Sequence, residues 1–259
     1  MKMKLTKIAL AAGRCETAAP FVREEAVAAV EALPYGTVAL FEPDGLPRAA
    51  LLLLPGGGFN KVNADQEGAA AALWLVEHGF AAAVVKYRLP EGCPERPLQD
   101  VRQAWVLLRE RCPALPCGVF GASIGGYLAA ELAVSQPKES RPDFQVLFYP
   151  VVSMEEELAH RPSMLRLFGR EVHGLEAKRR SPLLCVDAAA PAAFVAAAAD
   201  DASVSPLNAC RYAEAMLDAG AAVSLHLYAS GGHGFGFRTE FLWHDVLMAE
   251  LEKWLNARL

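Results

Sequence analysis

From residue 37 onward, short apolar runs alternate with segments whose apolar residues recur at helical spacing. Strands that alternate with helices build a mostly parallel sheet, because each connection between parallel strands crosses one face of the sheet as a helix. Right-handed crossovers restrict the topology further. The sequence therefore predicts an α/β fold, with helices on both faces of a mostly parallel central sheet. The predicted strands are 37–42, 49–54, 80–87, 117–120, 144–149, 192–199 and 223–228, and the predicted helices are 65–78, 97–110, 126–133, 206–219 and 240–259.

The segment 192–199 is rich in alanine, which favours a helix by propensity. We predict a strand here, because Pro191 precedes the segment, Asp200 and Asp201 follow it, and a strand is due at this point of the alternation.

One stretch interrupts the alternation, between residues 153 and 187. It is charged and rich in Met, His and Arg. Two interpretations stay open: a small cap over the strand ends, or a solvated excursion without contact to a substrate. Because we find no internal repeat, low-complexity linker or domain boundary, residues 1–259 are predicted to form a single domain with this stretch as a cap insertion.

The sequence Gly121-Ala122-Ser123-Ile124-Gly125 stands where a predicted strand gives way to a predicted helix. A serine between two glycines at such a turn is typical of the nucleophile elbow of serine hydrolases, which exposes the hydroxyl above the sheet. The alternative is a glycine-rich turn whose serine only caps the next helix. The strand before the motif and the helix after it favour Ser123 as a nucleophile.

A serine nucleophile needs a base, and His233 is the best candidate. It lies just beyond the last predicted strand in Gly231-Gly232-His233-Gly234, where glycines leave the backbone free to direct the imidazole. A histidine in a flexible surface turn is the alternative. Two of the other histidines, His160 and His173, lie in the insertion and could at most line a pocket; the remaining three are His78, His226 and His244.

A carboxylate must hold the imidazole in the correct tautomer. Asp200 and Asp201 directly follow the predicted strand 192–199, which gives the chain order Ser, Asp, His. We favour Asp201 as the partner of His233 because it lies further past the strand end, and we keep Asp200 as the alternative acid.

Three successive glycines, Gly56 to Gly58, follow the predicted strand 49–54. Main-chain N–H groups in such a run are open to a ligand, and we predict that Gly57, Gly58 and Ile124 supply the donors of an oxyanion hole. A phosphate-binding loop requires Gly-Lys-Ser/Thr at its end, whereas this run continues with Phe59-Asn60. A dinucleotide fingerprint requires spaced glycines, which are absent here.

These motifs resemble, in the same order, those of bacterial α/β-hydrolases of the acetyl-esterase type, in particular the acetyl-xylan-esterase-like branch. The resemblance extends from about residue 35 onward and rests on PGGGF at 55–59, QEG at 66–68, YRLP at 87–90, residues 121–130, YPVVSM at 149–154, SP at 181–182 and GGHG at 231–234. Relatives usually carry His where this chain has Pro55, Ala at the place of Ile124 and His at the place of Tyr127. These departures concern substrate identity more than activity.

The resemblance implies an α/β-hydrolase fold and a serine esterase that cleaves short-chain carboxylic esters, in many relatives acetylated sugars. We expect Phe59 and Tyr127 to place bulky groups at the mouth of the substrate pocket. The alternatives are a small serine peptidase of the prolyl oligopeptidase clan and a non-catalytic binding protein that kept the fold.

Composition limits the partners. A net charge of −5 gives no support for binding to nucleic acid or to an anionic membrane. No metal or organic cofactor is implied, since no cysteine or histidine spacing matches a zinc site. Lys2, Lys4 and Lys7 resemble the start of a signal peptide, but the apolar run at 8–12 is short, and six scattered cysteines fit a reducing compartment. We therefore expect a cytoplasmic location; the sequence leaves the oligomeric state open.

Overall fold

Among the residues that the structure describes, nine strands form one sheet at the centre of the fold. The computed structural model describes residues 3–10, 14–21 and 23–259. The strands are β1 (Met3–Ala9), β2 (Arg14–Phe21), β3 (Thr37–Glu42), β4 (Ala50–Leu54), β5 (Ala81–Lys86), β6 (Cys117–Ala122), β7 (Phe144–Phe148), β8 (Ala192–Ala198) and β9 (Val223–Tyr228). Their order across the sheet is β2-β1-β3-β5-β4-β6-β7-β8-β9. The six strands from β5 to β9 in this order are parallel, and β3, β1 and β2 continue the sheet with antiparallel pairs. The predicted mostly parallel sheet is confirmed.

Helices cover both faces of this sheet, as predicted. They are α1 (Arg23–Glu31), α2 (Ala70–Glu77), α3 (Glu95–Arg111), α4 (Ile124–Val134), α5 (Arg161–Phe168), α6 (Gly174–Arg179), α7 (Leu207–Asp218) and α8 (His244–Asn256). Apolar residues of α1, α2 and α8 share one core with Leu51 and Leu53, whereas those of α3, α4 and α7 share the other core with Leu52. This division follows from the two-residue period of a strand, which turns successive side chains to opposite faces.

Two parts of the chain differ from the predicted elements. The predicted helix 240–259 begins only at His244, because Phe241 is buried in the turn before it and stacks on Phe235. The sequence predicts no element before residue 37, yet β1 pairs with both β2 and β3. Of the residues discussed there, Lys2 and residues 11–12 lie outside those that the structure describes. In the part of the chain that is described, no helix has the length and apolar character needed to cross a membrane.

The insertion at 153–187 contains α5 and α6 and packs onto the end of the sheet that carries the glycine loop. Arg166 connects it to two loops: the Arg166 carbonyl accepts the N–H of Gly92 at 2.9 Å, and the Arg166 guanidinium donates to the carbonyl of Gly58 at 3.2 Å. Asn208, at the start of α7, donates to the carbonyl of Leu158 at 2.9 Å. The stretch predicted as a cap thus contacts the glycine loop through Arg166, and its role as a cap stays a prediction.

Candidate active site

Ser123 lies in the sharp turn between β6 and α4, with φ of 55° and ψ of −122°. A residue with a side chain rarely adopts a positive φ, so the surrounding packing must hold it there. Two glycines make this packing possible. A Cβ atom on Gly121 would lie 2.4 Å from the Gly125 carbonyl oxygen, and one on Gly125 would lie 1.9 Å from that of Leu54. The glycines let α4 pass close to β4 and β6, which orients the serine at their ends.

The structure brings together Ser123, His233 and Asp201, which are far apart in the sequence. His233 Nε2 lies 2.8 Å from Ser123 Oγ, and His233 Nδ1 lies 2.7 Å from Asp201 Oδ2. Asp201 follows β8, and His233 lies in the loop after β9, so both side chains come from the carboxyl ends of neighbouring parallel strands. Only about a quarter of the His233 side chain is exposed (24%), and the Asp201 side chain is almost fully buried (1%).

The two neighbouring aspartates make different contacts. Asp201 Oδ1 accepts the N–H groups of Ser203 at 2.8 Å and Val204 at 2.9 Å, which leaves Oδ2 for His233. Burial raises the pKa of Asp201, but the hydrogen bonds from His233, Val204 and Ser203 outweigh burial and hold the pKa below its ordinary value. Asp200 instead accepts the N–H groups of Gly231 and Gly232. Asp200 therefore shapes the loop that carries His233, whereas Asp201 contacts the imidazole itself.

The glycine loop after β4 is held in place by main-chain hydrogen bonds. Gly57 and Gly58 have φ of 118° and 62°, and the carbonyl of Gly57 accepts the N–H groups of Asn60 and Lys61. A Cβ atom on Gly57 would lie 2.3 Å from the carbonyl oxygen of Lys61, so glycine is required there. Within the described residues, the N–H groups of Gly57, Gly58 and Ile124 donate to no protein acceptor.

The two residues predicted to line the substrate pocket are both buried. Phe59 has φ of 57°, and its ring meets the edge of Tyr87 with 6.2 Å between centroids. It lies beside the glycine loop at a groove shared with Leu89 and Arg166. Tyr127 is packed in the core under the cap, and burial raises the pKa of its phenol. Phe59 therefore stays a candidate contact for substrate, and Tyr127 is placed where it packs rather than binds.

The sequence predicts no role for Glu67. In the structure, its carboxyl contacts the first residue of the glycine loop. Its side chain is buried, and Oε2 accepts the N–H of Gly56 at 2.7 Å while Oε1 accepts the hydroxyl of Tyr149 at 2.8 Å. Burial raises the pKa of Glu67, and the hydrogen bonds and the charge of His233 only partly offset this rise. A buried carboxyl with this environment is a signal that sequence alone does not give, because its partners are distant in the chain.

The raised pKa of Glu67 leads to a stability prediction. The native state binds the Glu67 proton more tightly than the unfolded chain does, so the free energy of unfolding falls as pH rises above the ordinary value of 4.5. Glu67→Gln lacks this titration. We therefore expect the melting temperature of Glu67→Gln, relative to the wild type, to rise as the pH increases above 4.5. Differential scanning calorimetry measures this, with Glu110→Gln on the exposed side of α3 as control. A difference that does not vary with pH would contradict the prediction.

His160, which directly precedes α5 in the cap, interacts electrostatically with His233. Its Nδ1 lies 2.7 Å from Ser163 Oγ. Burial lowers the pKa of His160, and the positive charges of His233 and Arg166 lower it further. This interaction agrees with the prediction that His160 at most lines the pocket.

A family model described as the alpha/beta hydrolase fold matches residues 51–237. An acetylxylan esterase from Xylanibacter ruminicola is 35% identical over an alignment of 232 positions, and the alignment covers 84% of this chain and 47% of that protein. The chain thus spans about half the length of this curated relative.

Solved structures show the same fold. The crystal structure of an acetyl ester-xyloside bifunctional hydrolase from Caldicellulosiruptor lactoaceticus has a TM-score of 0.79 and 30% identity, and the alignment covers 88% of this chain and 90% of the other. A carboxylesterase from Lactobacillus plantarum has a TM-score of 0.70 at 20% identity, with coverage of 88% and 94%, and this likeness concerns the fold alone. Because the matched family region runs from β4 past β9 and includes Ser123, Asp201 and His233, the chain belongs to the α/β-hydrolase family.

Proposed function

We propose that this protein hydrolyses short-chain carboxylic esters, with acetylated carbohydrates as the favoured substrates, through an acyl intermediate on Ser123. The observation that carries the proposal is the continuous contact from Asp201 through His233 to Ser123, at 2.7 and 2.8 Å. The similarity to an acetylxylan esterase and to an acetyl ester-xyloside hydrolase supports the substrate class.

The first half of the reaction forms the acyl-enzyme. Ser123 Oγ attacks the ester carbonyl while His233 Nε2 takes the hydroxyl proton. The imidazolium that results is stabilised by Asp201, whose lowered pKa keeps it ionised at neutral pH. When the tetrahedral intermediate collapses, the ester C–O bond breaks and His233 returns the proton to the leaving alcohol.

The second half releases the acid. A water molecule gives its proton to His233 and attacks the acyl carbon, and the second tetrahedral intermediate then expels Ser123 Oγ, which regains the proton from His233. In both intermediates the former carbonyl oxygen is negative. The free N–H groups of Gly57, Gly58 and Ile124 are the proposed donors to it, and donors that are in place before the reaction need no reorganisation.

The cap favours small acyl groups. Near Gly58, where a Cβ atom would lie 3.6 Å from Ser163 Oγ and 3.7 Å from Arg166 Nη1, cap side chains close over the glycine loop. Each methylene in a fitted apolar pocket changes binding by only about 1–3 kcal/mol, so rejection of long chains has to be steric.

We therefore expect kcat/KM to fall at least about tenfold between butyrate and octanoate esters. The measurement uses nitrophenyl esters of increasing chain length, acetylated xylan and an amide substrate, with Ser123→Ala as the blank. Octanoate cleaved as well as acetate would contradict the steric argument. Amide cleavage that outpaces ester cleavage would favour the peptidase alternative, and inactivity on every substrate would favour a binding protein.

We also propose a cytoplasmic location, which rests on the scattered cysteines. The five cysteines whose side chains are described are free thiols.

A small-molecule ester is the proposed partner. The described residues include no group of three or more side chains that could bind a metal ion.

A further inference from the structure

Glu67 occupies an unusual piece of backbone next to the proposed catalytic residues. It lies in a single π-helical turn, Asp65–Ala69, that precedes α2, and the N–H of Ala69 donates to the carbonyl of Ala64 at 2.7 Å. Such turns insert one residue into a helix and frequently occur at functional sites. Here the turn directs the Glu67 carboxyl away from solvent and toward the loop that follows β4.

The carboxyl meets the glycine loop at its first residue. Glu67 Oε2 accepts the N–H of Gly56 at 2.7 Å and the amide of Asn63 at 3.4 Å. A Cβ atom on Gly56 would lie 2.8 Å from Glu67 Oε2 and also 2.8 Å from Ser123 Cβ. Gly56 is therefore packed against both the Glu67 carboxyl and Ser123, with no space for a side chain between them.

The other carboxyl oxygen reaches the histidine through Tyr149. Glu67 Oε1 accepts the Tyr149 hydroxyl at 2.8 Å, and the Tyr149 ring packs edge-on against His233 with 4.9 Å between centroids. Tyr149 has φ of 37°, a conformation that a side-chain-bearing residue adopts only where its surroundings impose it. One carboxyl group thus contacts both a neighbour of the proposed oxyanion donors and a neighbour of the proposed base.

Burial of the Glu67 carboxyl costs folding free energy. A buried carboxylate loses its hydration, and none of the ion pairs among the described residues pairs Glu67 with a lysine or arginine. Its three hydrogen-bond donors come from the glycine loop region and from Tyr149. A carboxylate is well suited to this position because it accepts on both oxygens and needs no acceptor in return.

We propose that Glu67 is a positioning residue that holds the glycine loop and Tyr149 in register with Ser123 and His233. The proposal rests on the proposed function, because it assigns Glu67 to stabilisation of the tetrahedral intermediates of that reaction. Glu67 does not touch the substrate. It acts through Gly56 on the placement of the Gly57 and Gly58 N–H groups, and through Tyr149 on the orientation of the His233 ring.

Three variants separate the two contacts. Glu67→Ala removes both. Tyr149→Phe removes the hydrogen bond from the phenol and keeps the bond to Gly56. Glu67→Gln can keep both, because the amide oxygen can accept the Gly56 N–H while the amide nitrogen donates to Tyr149, whose hydroxyl rotates.

The matched control is Gln145→Ala. Gln145 lies on β7, four residues before Tyr149, and is equally buried. It bonds to the carbonyl of Pro191 and the hydroxyl of Tyr212, so its loss removes buried hydrogen bonds away from the site.

With nitrophenyl acetate, we expect Glu67→Ala to lower kcat about 100-fold and to leave KM within about threefold of wild type, because only the transition state uses the oxyanion donors fully. Tyr149→Phe is expected to lose about tenfold in kcat, and Glu67→Gln to stay within about fivefold of wild type. Gln145→Ala should lower the melting temperature without lowering kcat more than about twofold.

The rate at which a fluorophosphonate labels Ser123, followed by intact mass, is the second readout, because the phosphonyl oxygen also needs the oxyanion donors. The labelling rates should follow the order of kcat. If Glu67→Ala folds and both its kcat and its labelling rate match wild type, the proposal is wrong. If Glu67→Ala does not fold, Tyr149→Phe decides. A kcat of Tyr149→Phe equal to that of the wild type then overturns the proposal. A wild-type protein that neither hydrolyses esters nor labels at Ser123 overturns the proposed function itself, and the role of Glu67 with it.

Discussion

Replacement of Ser123 with alanine is expected to lower ester hydrolysis at least about a thousandfold, because the serine, histidine and aspartate of the proposed triad act together. The residual rate would come from substrate binding and the oxyanion donors alone. The fold should survive, since the Ser123 N–H still donates to the carbonyl of Phe148 and alanine fits the same space. The measurement is kcat/KM for nitrophenyl acetate together with circular dichroism and the melting temperature.

The matched control for this variant is Ser135→Ala. Ser135 follows α4 and is exposed, and its hydroxyl bonds to Glu131 rather than to the site. We expect this variant to keep wild-type turnover. A correctly folded Ser123→Ala protein with near wild-type turnover would remove Ser123 as the nucleophile, and another residue would then have to account for any esterase activity.

The parallel part of the sheet could be predicted because its signals are local. Each of its strands is a short apolar run with a helix or a turn residue on either side, and the alternation decides ambiguous cases. Strand β8 is such a case: it is rich in alanine, yet it lies in the sheet between β7 and β9. Pro191 and Asp200 flank the segment and limit it to a length that is ordinary for a strand but short for a helix.

Contacts between distant residues could not be predicted in the same way. Strand β1 carries lysines among its apolar residues, so its pattern indicated neither a strand nor its pairing with β3. The Glu67 carboxyl accepts hydrogen bonds from Gly56 and Tyr149, which are 11 and 82 positions away in the sequence. Tyr127 stands four residues after Ser123 and so appeared close to the pocket, but the turn of α4 directs its side chain into the core.

Replacement of the two neighbouring aspartates is expected to lower kcat by very different factors. Asp201→Asn is expected to lower kcat about 10³–10⁴-fold, because it reverses the hydrogen bond to the imidazole. The amide oxygen must stay with the N–H groups of Ser203 and Val204, which now bond to Asp201 Oδ1. The amide nitrogen then faces His233 Nδ1 and donates to it, which places the imidazole proton on Nε2. A protonated Nε2 cannot accept the proton of Ser123.

Asp200→Asn should cost less than about tenfold in kcat, because Asp200 contacts only the main chain of the loop that carries His233. Its amide can still accept one of the N–H groups of Gly231 and Gly232, and the tautomer of His233 is untouched. The pair is a sharp test because the two residues are adjacent and carry the same charge, but only the buried Asp201 contacts the imidazole, whereas Asp200 is exposed. Small and equal losses in both variants would show that the orienting carboxylate lies elsewhere, and a larger loss in Asp200→Asn would transfer the role to Asp200.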